Sequence, residues 1–329
     1  MSNKSKNSPT GIQKKKVRRH TLGRIDDFNV ETKDLDEVTS LLLDSYKTYN
    51  GRQYLNAVDF NYILPSDKLE FARLTLSHIL KKHLWKGNFC SPIKEKLNMG
   101  ATVIDIGCGG GFWLMEMGLE YPSSTFIGID IDSSNFPSHD RCPSNVCFLT
   151  CNAAHGIPFP PDTFDFVHIS MMWCAFSEPQ WLKLIKDLIR VLKYEGWIEF
   201  VNPNLRSRNP GKAEQLIFES ASKACLETKS VNISIYEMIP KYLEAMDELD
   251  EINCLSIDFP VGEQFGCFGK FALENIKRVY ESIVFLPKYM GMSSEEFNDL
   301  LNEFCKEVNE NIPPFDIHRH FAKKVKLIN

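Results

Sequence analysis

Residues 103–113 read VIDIGCGGGFW: an aliphatic run carrying an acid, then four glycines, then an aromatic pair. A strand that ends near Asp105 and is followed by Gly107, Gly109 and Gly111 predicts a tight strand-to-helix turn. Glycine there removes the Cβ atoms that would hold a ligand away, and the turn is expected to leave backbone N–H groups open to that ligand. Asp130 stands 23 residues after Gly107, at the end of the next aliphatic run, where a carboxylate can take both hydroxyls of a ribose. Asp132 competes for that role but falls past the strand end. The third run continues into CNAAHGIPFP (151–160) and sets Asn152 at the same carboxyl edge, so three strand ends meet at one crevice.

Working outward, TVIDIG (102–107), TFIGIDI (125–131), VCFLTCN (146–152), FDFVHIS (164–170) and WIEFVN (197–202) are near-continuous apolar runs, as strands covered on both faces require. Between the last two, EPQWLKLIKDLIRVLKYEG sets Trp181, Leu184, Ile185, Leu188, Val191 and Leu192 on one helical face and is expected to end at Gly196. The alternation predicts an α/β fold with right-handed crossovers. Upstream, a short helix is expected over DLDEVTSLLLDSYKTY. A second is expected after Ser66 or Asp67, with an apolar stripe at Leu69, Leu76, Ile79, Leu80 and Leu84. Downstream, SIYEMIPKYLEAMDEL reads as helical, INCLSIDFPVG (252–262) and HRHFAKKVKLI as late strands, and 268–289 and 294–309 as two helical segments between them. The fold class is therefore Rossmann-like and doubly wound: a mostly parallel seven-stranded sheet with an N-terminal helical cap and a C-terminal helical insertion. The expected divisions are a disordered basic tail over 1–35, the cap over 36–100, a core over 101–204, and C-terminal helices and last strands over 205–329.

The chain has 329 residues, 43% of them hydrophobic, enough for a full core. It shows neither an uninterrupted apolar membrane span nor a signal-peptide core, so an intracellular location, cytoplasmic or nuclear, is expected. Ten cysteines are scattered without a CxxC pair and read as reduced thiols; Cys142, Cys147 and Cys151 cluster but lack the paired ligands of a structural zinc site, so no metal is expected. Seven of the 38 basic residues lie in residues 1–19, which hold no acid, leaving 31 basic against 43 acidic residues in the body. An acidic body argues against direct nucleic-acid binding and has no place for a broad phosphate-binding face. The tail run Lys14 to Arg19, within KKKVRRH, is a candidate nuclear address, and Thr21 a candidate kinase site.

Two nucleotide ligands fit the crevice, dinucleotides and S-adenosylmethionine. The dinucleotide fingerprint wants a third glycine where Phe112 stands, and the acid two residues before Gly107 would repel a pyrophosphate. S-adenosylmethionine has no phosphate and carries an ammonium that Asp105 can attract.

On VIDIGCGGG, GIDI, NAAHGIPFPPDTFDFV and LIRVLKYEGWIEF the chain resembles the class I S-adenosylmethionine-dependent methyltransferases, over about residues 45 to 204. GRQYLNAVDFNYILPSDKLEFARLTLSHIL, PVGEQFGCFG and GMSSEEFNDLL further resemble fungal methyltransferases related to the nuclear regulator of secondary metabolism. The resemblance implies S-adenosyl-L-methionine as cofactor, its methionine end over Gly107, Cys108 and Gly109, its ribose on Asp130, and its adenine between Ile131 and the Asn152–Ala153 turn, with Asp105, Gly111 and Ser170 completing the site. Three positions depart from the family pattern: Asn152 stands at the adenine position often held by Asp, Tyr194-Glu195-Gly196 replaces a Pro-Gly-Gly turn, and Ser170 stands where many fungal relatives carry arginine.

Methyl transfer is an in-line displacement, so alignment supplies much of the rate. A hydroxyl acceptor also needs a base, for which His168 and His155 are the sequence candidates, although a buried strand histidine more often serves the core. Tyr62, Trp113 and Trp173 are candidate cation–π partners of a sulfonium. The expected activity is methyl transfer to an unidentified metabolite or protein. The alternatives are a nuclear regulatory partner protein that keeps the pocket without turnover and, more distantly, a dehydrogenase. The 51–85 segment and the helices over 263–313 are expected to roof the acceptor pocket, with VGEQFGCFG as their hinge.

Overall fold

The computed structural model describes residues 46–55 and 61–326. The basic tail, its candidate nuclear address and Thr21 lie outside the described residues.

Seven strands form one sheet: β3 (Thr102–Ile106), β4 (Thr125–Asp130), β5 (Val146–Thr150), β6 (Phe164–Ser170), β7 (Leu192–Pro203), β8 (Leu249–Phe259) and β9 (Phe315–Lys324), in the spatial order β5-β4-β3-β6-β7-β9-β8. The pairs among β5, β4, β3, β6 and β7 are parallel, and β9 runs antiparallel to both its neighbours. This is the mostly parallel seven-stranded sheet expected. The order reverses at β3, so the crevice for a ligand opens at the carboxyl ends of β3, β4 and β6. All five residues of β3 are buried, whereas in β8, the sheet edge, every residue after Leu249 is exposed or half-buried.

The helices are α1 (Lys68–Trp85), α2 (Lys94–Met99), α3 (Phe112–Glu120), α4 (Glu178–Val191), α5 (Lys212–Lys229), α6 (Ile239–Glu244), α7 (Gly266–Ser282), α8 (Leu286–Tyr289) and α9 (Ser294–Asn311). In α4, Trp181, Leu184, Ile185, Leu188 and Val191 are all buried, each contributing roughly 1.5–3 kcal/mol relative to exposure. A capping box at Ser177 and Gln180 starts that helix.

Several local readings differ from the structure. Tyr46–Tyr49 is not helical: it is strand β1, paired antiparallel with β2 (Arg52–Leu55) around Asn50 and Gly51. Gly196 does not end α4, because Leu192 is already extended and begins β7, and 193–196 form a bulge in the β6–β7 ladder. Glycine is needed there because a Cβ would crowd the Asp165 carbonyl. The stripe proposed for α1 is rotated. Leu69 and Ile79 are each 57% exposed, and the inward face is Glu70, Arg73, Ser77 and Leu80. The late apolar segment 268–289 is two helices separated at 283–285: Pro287 has no N–H with which to continue α7 and sits instead in the first turn of α8, where none is needed. Helix α5 has no counterpart in the sequence reading; its buried positions include small Ala213, Ala221 and Ala224, which give little hydrophobic contrast.

Candidate functional site

The turn after β3 takes positive φ at Gly107 (66°), Gly109 (53°) and Gly111 (71°). Four of its N–H groups, however, are engaged within the chain. Gly107 and Cys108 donate to the Ile129 carbonyl at 2.8 and 3.0 Å, Gly109 to Asp130 Oδ2 at 2.8 Å, and Gly111 to the Cys108 carbonyl. The open cradle of N–H donors expected from the sequence is therefore reduced to Gly110 among residues 107–111, because the turn spends the other donors on the neighbouring strand and on its own Cys108 carbonyl. Openness here is steric: a Cβ on Gly109 would meet nothing within 4 Å, whereas one on Gly107 would overlap Met172. Such a turn lets a ligand approach the backbone but offers a phosphate little to bind.

Above the turn lie two adjoining cavities, about 910 and 750 Å³ counted to their open mouths. Gly107, Gly109, Gly110, Ser170 and Met171 line both, together with Phe71 and Leu74 of α1. Asp130, Ile131, Asn152 and Ala153 line the first. Asp105 and Cys108 line the second instead, and Gly111 lines neither, serving as the start of α3, where a Cβ would overlap Phe148.

Asp130 accepts from two backbone donors, Gly109 N–H and Asp132 N–H (3.0 Å), yet its carboxyl is pushed up to about 6 by burial, which outweighs those donors. Asn152 Oδ1 accepts from the Ala154 N–H at 3.0 Å, while its Nδ2 is buried without a hydrogen-bond partner. The side chain thus presents a donor to a ligand. A ring nitrogen, an acceptor, therefore suits this side chain better than an amine.

The polar groups of the second cavity follow from sheet register. Asp105 pairs with His168 across β3–β6, and His168 with Glu199 across β6–β7, so the three side chains project from one row. Asp105 Oδ1 lies 2.7 Å from His168 Nδ1, and Trp113 stacks on the imidazole at 4.0 Å with its Nε1 donating to the Asn88 carbonyl. Glu199, fully buried, accepts from Arg319 Nη1 (2.9 Å), from the Cys90 and Ser91 N–H groups and from Ser91 Oγ. Lys81 of α1 reaches in and donates to Ser170 Oγ at 2.6 Å, with its pKa lowered to about 7, chiefly by burial and then by the Arg319 charge.

Of the two candidate bases, His168 lines the second cavity, held by Asp105 and Trp113, while His155 is exposed and lines neither cavity. Trp173 is buried in the core, while Tyr62 and Trp113 line the first and second cavities respectively. Lys81, Glu199 and Arg319 were not picked out from the sequence. Lys81 had a readable signal, since Glu70, Leu74, Ser77 and Lys81 recur on one helical face.

The roof over both cavities is α1. No residue of 263–313 lines either one, which corrects the expectation that those helices cover the acceptor pocket. They back α1 from outside: Arg73 bridges Glu70 and Asn275 of α7, and Phe268 packs against His83 and Phe259. The roof's edge is fastened to the floor by Ser66, which donates to Asp132 just past the end of β4, and to the β1–β2 hairpin by Arg52, which pairs with the α1 cap Asp67. Among the described residues no three His, Cys, Asp or Glu side chains group to hold a metal, and no helix is long and apolar enough to cross a membrane.

Residues 103–196 match a family model described as a methyltransferase domain. The chain is 26% identical to the methyltransferase str2 of Strobilurus tenacellus, over 61% of this chain and 71% of that protein. It is 24% identical to the N-methyltransferase verN of Clonostachys rogersoniana, over 78% and 89%. It is also 26% identical to the secondary metabolism regulator laeA of Aspergillus fumigatus, over 50% of this chain and 43% of that longer protein. Residues 103–196 thus match a methyltransferase domain, and the chain is similar to fungal methyltransferases and to a fungal regulator of secondary metabolism.

Proposed function

We propose that the protein transfers a methyl group from S-adenosylmethionine to an acceptor bound under α1. The observation that carries this reading is the pairing, in one cleft, of the Asp130 carboxylate with the unpartnered Asn152 Nδ2, beside a glycine turn that spends the N–H groups of Gly107, Cys108, Gly109 and Gly111 within the chain. A ribose satisfies the first, a purine ring nitrogen the second, and a ligand without phosphates tolerates the third. On this reading Asp130 takes the ribose hydroxyls, Ile131 and Ala153 flank the base, and Gly107 and Gly109 let the sulfonium end cross the wall shared by the two cavities.

When bound, the donor supplies an electrophilic methyl carbon. The chain's task is then to exclude water and to hold the acceptor in line, which α1 serves from above and Ser170 and Met171 from below. His168, fixed by Asp105 and stacked on Trp113, is the better placed of the two histidines to receive a proton, because His155 is exposed and lines neither cavity.

The second reading, a regulatory protein that keeps the pocket with little turnover, draws on the regulator among the relatives. Incubation with methyl-labelled donor and fungal extract tests the two. Label entering protein or small molecules in an Asp130-dependent way supports transfer; binding of the donor without any label transferred supports the regulatory reading.

A further inference from the structure

The second cavity holds a cation that the chain does not neutralise. Lys81 Nζ has a neutral partner, the Ser170 hydroxyl at 2.6 Å, and makes no ion pair among the described residues. The nearby acids are committed elsewhere: Asp105 on β3 to His168 of β6, and Glu199 on β7 to Arg319 of β9 and to the Cys90 and Ser91 amides. Arg319 itself keeps a buried Nε without a partner and stacks over Trp85 at 4.9 Å. On its own helix Lys81 is flanked by Arg73, which is bound to Glu70, and by His78 and Lys82, which share Glu116 of α3. Positive charge therefore outweighs free negative charge at this end of the cavity. An unpaired buried ion is costly, and an amine relieves that cost by giving up its proton, which is the direction in which burial and Arg319 push Lys81.

The donor proposed above enters the first cavity by its adenosine end, and its sulfur crosses the shared wall at Gly107 and Gly109. Its remaining portion, the amino acid end, then reaches the second cavity, bringing a carboxylate to the Lys81 side and an ammonium within range of Asp105. We propose that Lys81 binds the donor's carboxylate and takes up a proton from solvent as it does so, which makes donor affinity pH-dependent through a residue of the roof. This inference rests on the donor reading and adds to it a specific counter-ion. The sign follows from linkage: the free protein must be supplied with a proton above about pH 7, so binding weakens as pH rises through that value.

Calorimetry on the full chain tests this with three probes: S-adenosylmethionine, its decarboxylated analogue and 5′-methylthioadenosine, in two buffers of different ionisation enthalpy between pH 7 and 9. The donor's own α-amino group titrates near the same range, about 7.7–8.0 when unperturbed, so the slope is read as the difference between wild type and Lys81→Met. The wild type should take up a substantial fraction of a proton with S-adenosylmethionine and lose affinity on the order of tenfold per pH unit above about 7. Lys81→Met should lose the lysine-linked part of both effects and keep only what the donor's own amine contributes, should bind S-adenosylmethionine at least tenfold more weakly, and should bind the decarboxylated analogue within about threefold of wild type, magnitudes that fit the loss of a charge-assisted bond. Should Lys81→Met fail to fold, Lys81→Arg, which stays charged, should bind with no lysine-linked uptake. Equal binding of all three probes without differential uptake would overturn the Lys81 assignment and leave the donor reading intact. Failure of the wild type to bind any of them would overturn both.

Discussion

The floor and the roof of the site are built by different means. The floor is the carboxyl edge of β3, β4 and β6, where backbone ladders fix register and one motif brings its own partners: Gly109 meets Asp130, and Asp105 meets His168, through neighbouring strands. The roof, α1, is held by side chains from distant segments. Arg73 reaches α7, the cap Asp67 accepts from Arg52 of β2, and Ser66 just before it reaches Asp132. Local geometry specifies the floor, and long-range side-chain fit specifies the roof. The first is expected to govern recognition of the donor's adenosine end, and the second to hold its amino acid end and set what the donor meets.

The largest effect expected from breaking this division is at the floor's buried ion pair. Glu199→Ala leaves Arg319 without its partner and strips acceptors from two amides, and should lower unfolding free energy by about 3–5 kcal/mol in urea titrations. A loss below about 1 kcal/mol would mean that the pair is not structural. Next, Asp130→Ala should weaken donor binding by on the order of 1–3 kcal/mol with little change in folding; unchanged affinity in the folded variant would remove Asp130 from the ribose site.

The same carboxylate predicts a pH limb. Asp130 must be ionised to accept hydroxyl donors, and its pKa is raised to about 6, so donor affinity should fall as pH drops through 6, by about tenfold at pH 5. The stability linkage has the opposite sense. A carboxyl raised above its unfolded value binds its proton more tightly in the folded state, so this group's contribution favours folding as pH falls from about 6 toward 4. Affinity measured across pH 5–7 in wild type and in Asp130→Ala separates the two, because the limb should vanish in the variant.

Smaller effects are expected where the roof is backed from outside. Phe268 packs on His83 and Phe259 without lining a cavity, so Phe268→Ala should cost about 1–2 kcal/mol of stability and leave donor affinity within twofold. A tenfold loss of donor affinity would show that backing and binding are coupled. Removal of residues 1–30, a segment with no apolar pattern, should change donor affinity least of all.

The same division explains what could be read in the sequence. Strands β3 to β7, Asp130 and Asn152 announced themselves because aliphatic runs and a glycine turn are local patterns, and both late strands were legible for the same reason. What stayed hidden depended on distant partners. The stripe on α1 was misjudged because its buried face carries a Glu70–Arg73 ion pair, which looks solvent-facing until Asn275 is placed beside it. Arg319 lies far from Glu199 in sequence, and no spacing joins them. Even at the floor, the glycine pattern suggested open N–H groups, because it cannot show that Ile129 and Asp130 occupy them.

The central claim is that this floor recognises a nucleoside sulfonium rather than a dinucleotide. Titration calorimetry of the full chain against S-adenosylmethionine and NAD, side by side at pH 6.5, tests it most directly. The account predicts saturable binding of S-adenosylmethionine and none of NAD at the same concentrations; binding of NAD in preference would contradict it.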